Sequence, residues 1–319
     1  MDVLSDLLSR AQATDAQVRQ LIHPPPWSMT YADAPTLTII ATLGGPATIR
    51  LAGHAGSPTD LRAGDVALIS KTPRYTIADS ADTPEQYVIH KGRKYLAGAG
   101  DVPADHANIS TRTYGLAEDT AGATILLRGA YNLHGAVTDR LLAMLPPLAV
   151  IAAEPRTTPV LELLTRETRL DEPGQDAVLR RLLDLLLVLA LRAWCARAEP
   201  TLPAWCRALS DPAIGDALQL LHEHPAHPWT VDDLAAKTGL SRATFAARFS
   251  KLVGQPPLTY LTNWRMTIAA DLLRDTTSTV AAVARTVGYH DPFAFSVAFK
   301  RTHNATPSTF RQTNRDRLG

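Results

Sequence analysis

The chain has 319 residues, 45% of them hydrophobic and 20% charged; at ~150 residues per domain this is an ordinary globular composition spread over two modest domains rather than one. Two cysteines, Cys195 and Cys206, exclude a disulfide framework. The acidic opening MDVLSDLLSRAQATD is not a signal peptide, and no apolar run approaches the ~20 residues of a membrane span, so a cytoplasmic protein is expected. The formal charge of +1 hides an asymmetry: residues 241–319 hold eleven Lys and Arg against four Asp, a net of +7, while residues 1–210 hold 20 against 22 acids.

After a short helical start at Leu4, Leu7 and Leu8, the run His23-Pro24-Pro25-Pro26 turns the chain. Residues 27–129 read as strands. Runs 36–43, 47–51, 66–70, 87–90 and 123–127 are short and rich in β-branched residues, with Gly and Pro between them. Many short strands without intervening helices predict an antiparallel barrel or sandwich.

From about His134 the period becomes helical. Val137, Leu141, Leu142 and Leu145 share one face, and Val160, Leu161, Leu163 and Leu164 begin another helix. Residues 176–199 form the most apolar helix, with Leu179, Leu182, Leu183, Leu186, Leu187, Ala190 and Trp194 at helical spacing and Leu185 and Leu189 widening the stripe. So broad a stripe buries two sides, either inside its own domain or against a symmetry mate across a homodimer interface. Pro200-Thr201-Leu202-Pro203 is expected to end this helix.

The last hundred residues contain a repeat. Gly239 superposes on Gly288 at a spacing of 49, whereas Phe245, Phe249 and Pro257 superpose on Phe295, Phe299 and Pro307 at 50, so one turn is longer by a residue. Each unit reads as helix, glycine turn, helix. Thr230 and Thr279 suit the caps of the first helices, Ser241 and Asp291 those of the second, and Pro292 suits a first helical position. Two helix-turn-helix units in a +7 block point to double-stranded DNA. If the paired phenylalanines face the core, ~100° per residue turns Ala243, Ala246, Ala247 and Ser250 outward on the first recognition helix, with Arg242 at its start. The same argument gives Phe293, Ser296, Val297 and Lys300 on the second. These surfaces are small or apolar, which predicts contact with thymine methyls rather than Arg-to-guanine readout. Phosphate anchoring is expected from Arg242, Lys251, Arg265, Lys300, Arg301 and Arg311.

The stretch Gly-Leu-Ser-Arg-Ala-Thr-Phe-Ala-Ala-Arg-Phe from Gly239 resembles the C-terminal DNA-binding domain of the AraC/XylS family of bacterial transcription regulators. So do Gly254-Gln255-Pro256-Pro257, Gly288-Tyr289, Phe295 to Arg301 and Thr306-Pro307-Ser308. The resemblance covers about residues 210–315. It implies seven helices carrying two helix-turn-helix units joined by a long helix near 258–273, with RNA polymerase as a further partner. Leu61-Arg62-Ala63-Gly64-Asp65-Val66-Ala67-Leu68-Ile69 resembles the cupin sensor domain found in one branch of that family. The expected architecture is therefore α+β with two domains: an antiparallel cupin-like barrel at 1–133, helical dimerisation and linker segments at 134–209, and an all-α DNA-binding domain at 210–319.

A catalytic cupin grips its metal with a His-x-His pair, a Glu and a later His. This chain has no His-x-His, and Arg74-Tyr75 stand where the last histidine is expected; His54, His90 and His106 are scattered singly. No metal, no other cofactor and no enzymatic activity are expected. The alternative is a metal-dependent cupin enzyme fused to a DNA-binding domain. A barrel of this kind can still enclose a small-molecule effector, with Trp27, Tyr31, His54, Lys71, Arg74, Tyr75 and His90 as candidate lining.

Overall fold

The computed structural model describes residues 2–11, 16–54, 57–99, 102–104, 122–170, 172–197 and 204–315. His106 and the run 200–203 lie outside the described residues. The chain divides into two compact units, one built on sheets from residues 13–133 and 145–194, the other helical from residues 1–12, 134–144 and 195–319.

The sheet unit contains strands β1 (Gln17–His23), β2 (Ser28–Tyr31), β3 (Leu37–Gly44), β4 (Ala47–Leu51), β5 (Thr59–Leu61), β6 (Val66–Ser70), β7 (Tyr75–Ala78), β8 (Tyr87–His90), β9 (Arg93–Leu96), β10 (Thr124–Tyr131) and β11 (Leu148–Ile151). They hydrogen-bond as two sheets, ordered β1-β10-β3-β6-β11 and β5-β4-β7-β2-β8-β9. Two points correct the antiparallel barrel. The strands fall into two ladders rather than one ring, and β2 pairs with β8 in parallel. The parallel pair is possible because the chain runs through β3 to β7 between them, ample length for a crossover. Leu21, Ile40, Ala67, Ile69 and Leu126 of the first sheet meet Met29, Tyr31, Ile49, Tyr75 and Ile77 of the second in one core.

The first sheet is buried on its other face as well, since Leu37, Ile39, Leu68 and Leu127 are all at most 1% exposed. Helices α3 (Thr158–Glu167) and α4 (Gln175–Cys195) belong to this unit. Gly129 of β10 shows how closely α4 lies on the sheet: a Cβ there would meet Ile39 Cγ2 at 2.8 Å and Leu183 Cδ1 at 3.1 Å. Tyr131 Oη donates to Asp184 Oδ1 at 3.1 Å on the same side.

The helical unit gathers α1 (Val3–Arg10), α2 (Ala136–Ala143), α5 (Ala204–Ser210), α6 (Pro212–Glu223), α7 (Val231–Lys237), α8 (Arg242–Val253), α9 (Pro257–Asp275), α10 (Val280–Thr286), α11 (Pro292–His303) and α12 (Pro307–Arg315). Helix α2 has no side-chain cap of its own. Asp271 of α9 supplies one, accepting the backbone N–H groups of Ala136 at 2.7 Å and Val137 at 3.0 Å. Thus α1 and α2, far apart in sequence, join the C-terminal helices.

Candidate nucleic-acid interface and ligand cavity

Two equivalent helix pairs, α7–α8 and α10–α11, flank the long helix α9. Their caps follow the repeat. Thr230 Oγ1 accepts from Asp233 N–H at 3.1 Å in a full capping box, and Thr279 Oγ1 accepts from Ala282 N–H at 3.1 Å. Ser241 and the Asp291 carboxylate cap α8 and α11. Four residues separate α7 from α8 and five separate α10 from α11, so the extra residue lies in the second turn. Gly239 and Gly288 both take left-handed φ, +69° and +86°. At Gly288 the space is also closed, since a Cβ would stand 2.5 Å from the Ala226 carbonyl oxygen. Gly254 and Asn304 end α8 and α11 in the same left-handed conformation.

Phe245, Phe249, Phe295 and Phe299 are fully buried, which fixes the outward faces of α8 and α11. Arg242, Ala243, Ala247 and Lys251 are exposed on α8, with Ala246 and Ser250 half-buried; Thr244, which the sequence reading passed over, is exposed too. On α11, Phe293 is 76% and Val297 56% exposed, beside exposed Lys300 and Arg301 and half-buried Ser296. Phe293 therefore does not fold back onto its own domain.

Two of the proposed phosphate anchors are structural instead. The Arg265 guanidinium donates to the carbonyls of Pro225 at 2.6 Å and His227 at 2.8 Å. That of Arg311 donates to Leu273 O at 3.3 Å and Ser278 O. Donors spent on main-chain carbonyls are not free for phosphate. Arg242 pairs with Asp232 at 2.8 Å, but both side chains are more than 60% exposed, so the pair is weak and exchangeable.

In the sheet unit a cavity of about 320 Å³ is lined by Gln17, Arg19, Leu21, Met29, Tyr31, Asp33, Pro35, Ile89, Gly92, Lys94, Arg128, Ala130 and Asn132. Of the candidate lining, only Tyr31 faces it directly. Tyr75 stands behind, its ring stacked on Tyr31 at 5.0 Å between centroids and its hydroxyl accepting from Arg128 Nε at 2.7 Å. Trp27 is a core residue whose Nε1 donates to Thr124 Oγ1 at 3.2 Å; it edges a separate shallow cleft with His23 and Gln86. Arg74 is exposed and paired with Glu85 at 3.0 Å, and His54 and Lys71 sit in exposed turns. His90 is exposed and lies 3.8 Å from Asp33 at the rim. These four are on the surface because turns, not strands, carry or border them. Sequence reasoning missed Arg19, Lys94 and Arg128; the signal for Arg128 was a lone charge inside the apolar run Ile125 to Tyr131.

Residues 2–196 match the Cupin family, and residues 234–313 match the Helix-turn-helix domain family. An AraC-like transcription regulator of Streptomyces antibioticus is 30% identical over 318 residues, 98% of this chain and 99% of that protein. The chain belongs to the AraC-like transcription regulators. A second member, from Streptomyces lividans, is 31% identical over 319 residues, 98% of each chain. Among solved structures, the DNA-binding domain of AdpA in complex with a target DNA is 33% identical, covers 34% of this chain and 96% of that domain, and has a TM-score of 0.32.

As an AraC-like regulator the protein is a DNA-binding transcription factor with a cupin domain ahead of a helical DNA-binding domain. No helix among the described residues is long and apolar enough to cross a membrane. The leucine stripe of this regulator needs correcting. Leu179, Leu183, Leu186 and Leu187 are completely buried within the chain and Leu182 is half-buried, so these leucines are not a free dimer surface. Leu183 lies against Gly129 of β10, on the second, buried face of the first sheet. The outward side of α4 carries Val178 and Leu185, 43% and 46% exposed.

Proposed function

We propose that this regulator reads DNA with α8 and α11 as two recognition helices, each entering one of two successive major grooves about 34 Å apart. The observation that carries this reading is the pair of equivalent, capped helix pairs that turn unpartnered faces outward while their phenylalanines are buried. Base edges would be met by Arg242, Ala243, Ala246, Ala247 and Ser250 on one helix, and by Phe293, Ser296 and Val297 on the other. Lys251, Lys300 and Arg301 hold phosphates. Ala, Val and Phe select thymine methyls, with DNA shape supplying further selectivity. The 320 Å³ cavity is the effector site, the working form is a homodimer, and RNA polymerase is the partner through which bound protein changes transcription. No catalytic step enters this reading; among the described residues no group of three His, Cys, Asp or Glu side chains is placed to hold a metal.

Hydroxyl-radical footprinting on a mapped site tests it. Two protected patches one helical turn apart are expected for each chain. A single protected turn per chain would overturn the two-groove arrangement.

A further inference from the structure

Two cysteines cannot build a disulfide framework, but the fold brings this pair together. Cys195 is the last residue of α4 and Cys206 lies in α5. Both fall in the helical unit. They are free thiols whose sulfurs stand 2.7 Å apart. Cys206 is completely buried and Cys195 half-buried, so one thiol is sealed and the other is within reach of solvent.

That separation selects the chemistry. A disulfide bond is ~2.05 Å long, so closing one here takes a movement of roughly 0.7 Å. A zinc ion with two ~2.3 Å Zn–S bonds at the tetrahedral angle would hold the sulfurs about 3.8 Å apart. Among the described residues no group of three His, Cys, Asp or Glu side chains is placed to complete such a site. A fully buried lone cysteine is inert. A half-buried thiol touching a second thiol is instead the arrangement in which a mixed disulfide on the first is resolved by the second.

We infer that Cys195 and Cys206 are a reversible disulfide site, oxidised by low-molecular-weight disulfides, that stiffens the support beneath recognition helix α8. The exchange runs in two steps. The Cys195 thiolate attacks one sulfur of the small disulfide RSSR, breaks its S–S bond and releases the first RS⁻, which leaves a mixed disulfide on Cys195. The Cys206 thiolate then attacks Cys195 Sγ and releases the second RS⁻. The two cysteines lose two electrons and two protons, and RSSR is reduced to two RSH. The hydrogen bond with Cys206, and then burial, raise the Cys195 thiol pKa. Thiolate is therefore scarce at neutral pH and exchange is slow, so the pair follows a sustained change in thiol–disulfide balance rather than a brief pulse.

The bond closes a ring across the segment that leads from α4 into α5. Helix α5 packs against α8. The residue after α5, Asp211, accepts from Arg248 Nε of α8 at 2.8 Å. Anchoring α5 removes motion beneath α8 that DNA binding otherwise has to remove.

The test equilibrates the full-length protein at pH 8 in glutathione buffers of rising oxidised-to-reduced ratio, quenches with N-ethylmaleimide and maps the cysteines by mass spectrometry. A linked Cys195–Cys206 peptide, two hydrogen atoms lighter than the dithiol and reversed by dithiothreitol, is expected. Cys206→Ala should stop at a glutathione adduct on Cys195, and Cys195→Ser should leave the buried Cys206 unmodified. Cys195 is half-buried, so its variant keeps the comparison valid if Cys206→Ala does not fold. Oxidation should raise the melting temperature by about 5 °C. It should also tighten binding to a mapped DNA site at least threefold by fluorescence anisotropy, and Cys195→Ser should abolish both shifts. No bond at any ratio, bonds only between chains, or a glutathione adduct that persists in the wild type each overturns the site. A bond that forms while DNA affinity stays the same or falls leaves the disulfide site standing and overturns its control of α8.

Discussion

Replacing Asp6 by Ala probes a buried network that ties the first helix of the chain to the C-terminal helices. Asp6 Oδ2 lies 2.9 Å from His222 Nδ1, and His222 Nε2 lies 2.7 Å from the Tyr260 hydroxyl. The imidazole stacks on Trp264 with centroids 4.2 Å apart, and its side chain has no solvent exposure. The carboxylate accepts from Nδ1–H, so Nε2 of the neutral ring accepts from the tyrosine O–H. Removing the carboxylate strands a buried N–H, which costs ~1–3 kcal/mol. Loss of the Arg10 contact at 2.6 Å adds less, because Arg10 is about one-third exposed. The expected loss is about 2 kcal/mol, or roughly 4–8 °C in melting temperature for a unit of this size. Asp6→Asn keeps an oxygen acceptor and should cost about half as much.

Acidity sharpens the same test. Burial lowers the His222 pKa below 6.5 and outweighs the opposing pull of Asp6. The unfolded chain therefore takes up a proton the folded one refuses, and this stability is lost as pH falls from 6.5 through the folded value. Burial raises the Asp6 carboxyl, but hydrogen bonds from His222 and Arg10 outweigh it and hold its pKa below 3.8. Its contribution is present above 3.8 and lost as pH falls through the folded value. Thermal melts from pH 3 to 8 on the wild type, Asp6→Ala, Asp6→Asn, Tyr260→Phe and the Asp6→Ala/Tyr260→Phe pair measure both effects. Asp6→Ala melting within about 1 °C of wild type, with no coupling to Tyr260→Phe, would refute the reasoning.

Phe293→Ala should leave the melting temperature unchanged but weaken specific DNA binding by about 2.5 kcal/mol, from roughly 100 Å² of lost apolar contact at ~25 cal/mol per Å². Uracil in place of a contacted thymine should cost about 1 kcal/mol, and unchanged affinity in both experiments sinks the apolar-readout idea. Lys300→Ala with Arg301→Ala should flatten the salt dependence of DNA binding by a slope of roughly 2 on all sequences. Arg265→Ala should instead lower the melting temperature, because its hydrogen bonds close the loop at Pro225 and His227; the reverse assignment in a salt titration would contradict this. Leu186→Asp should unfold the sheet unit. Leu185→Asp should keep the fold and, if the outer side of α4 joins the subunits, give monomers by light scattering; an unchanged dimer mass would clear that surface of the role.

The sequence by itself determined the two helix-turn-helix units of the helical half, but not that residues 1–12 and 134–144 join them: these were expected in the barrel domain and in the dimerisation and linker region. Its information there is local: a cap, a glycine that must take positive φ and a phenylalanine pair one turn apart all act within a few residues, and the repeat states them twice. Ser241, Gly239, Phe245 and Phe249 could therefore be placed without knowing what they touch, and the outward faces of α8 and α11 followed by rotation. The same logic found strands β3, β4, β6 and β8 nearly to the residue, because β-branched runs between glycines are also local signals. Tertiary structure decided what depends on distant partners. Arg265 looks like any other basic residue until the Pro225 and His227 carbonyls arrive from 40 and 38 residues away. The leucine stripe of α4 states only that two sides must be covered; that Leu183 meets the second face of a sheet became legible only when β10 lay under it, beside strands β3 and β6 that are buried on successive residues. The cavity is the extreme case, since Lys94 and Arg128 are ordinary charges in sequence. Their place comes from burial beside Tyr87 and between Tyr31 and Tyr75, a property of three-dimensional solvent exclusion that no local pattern encodes.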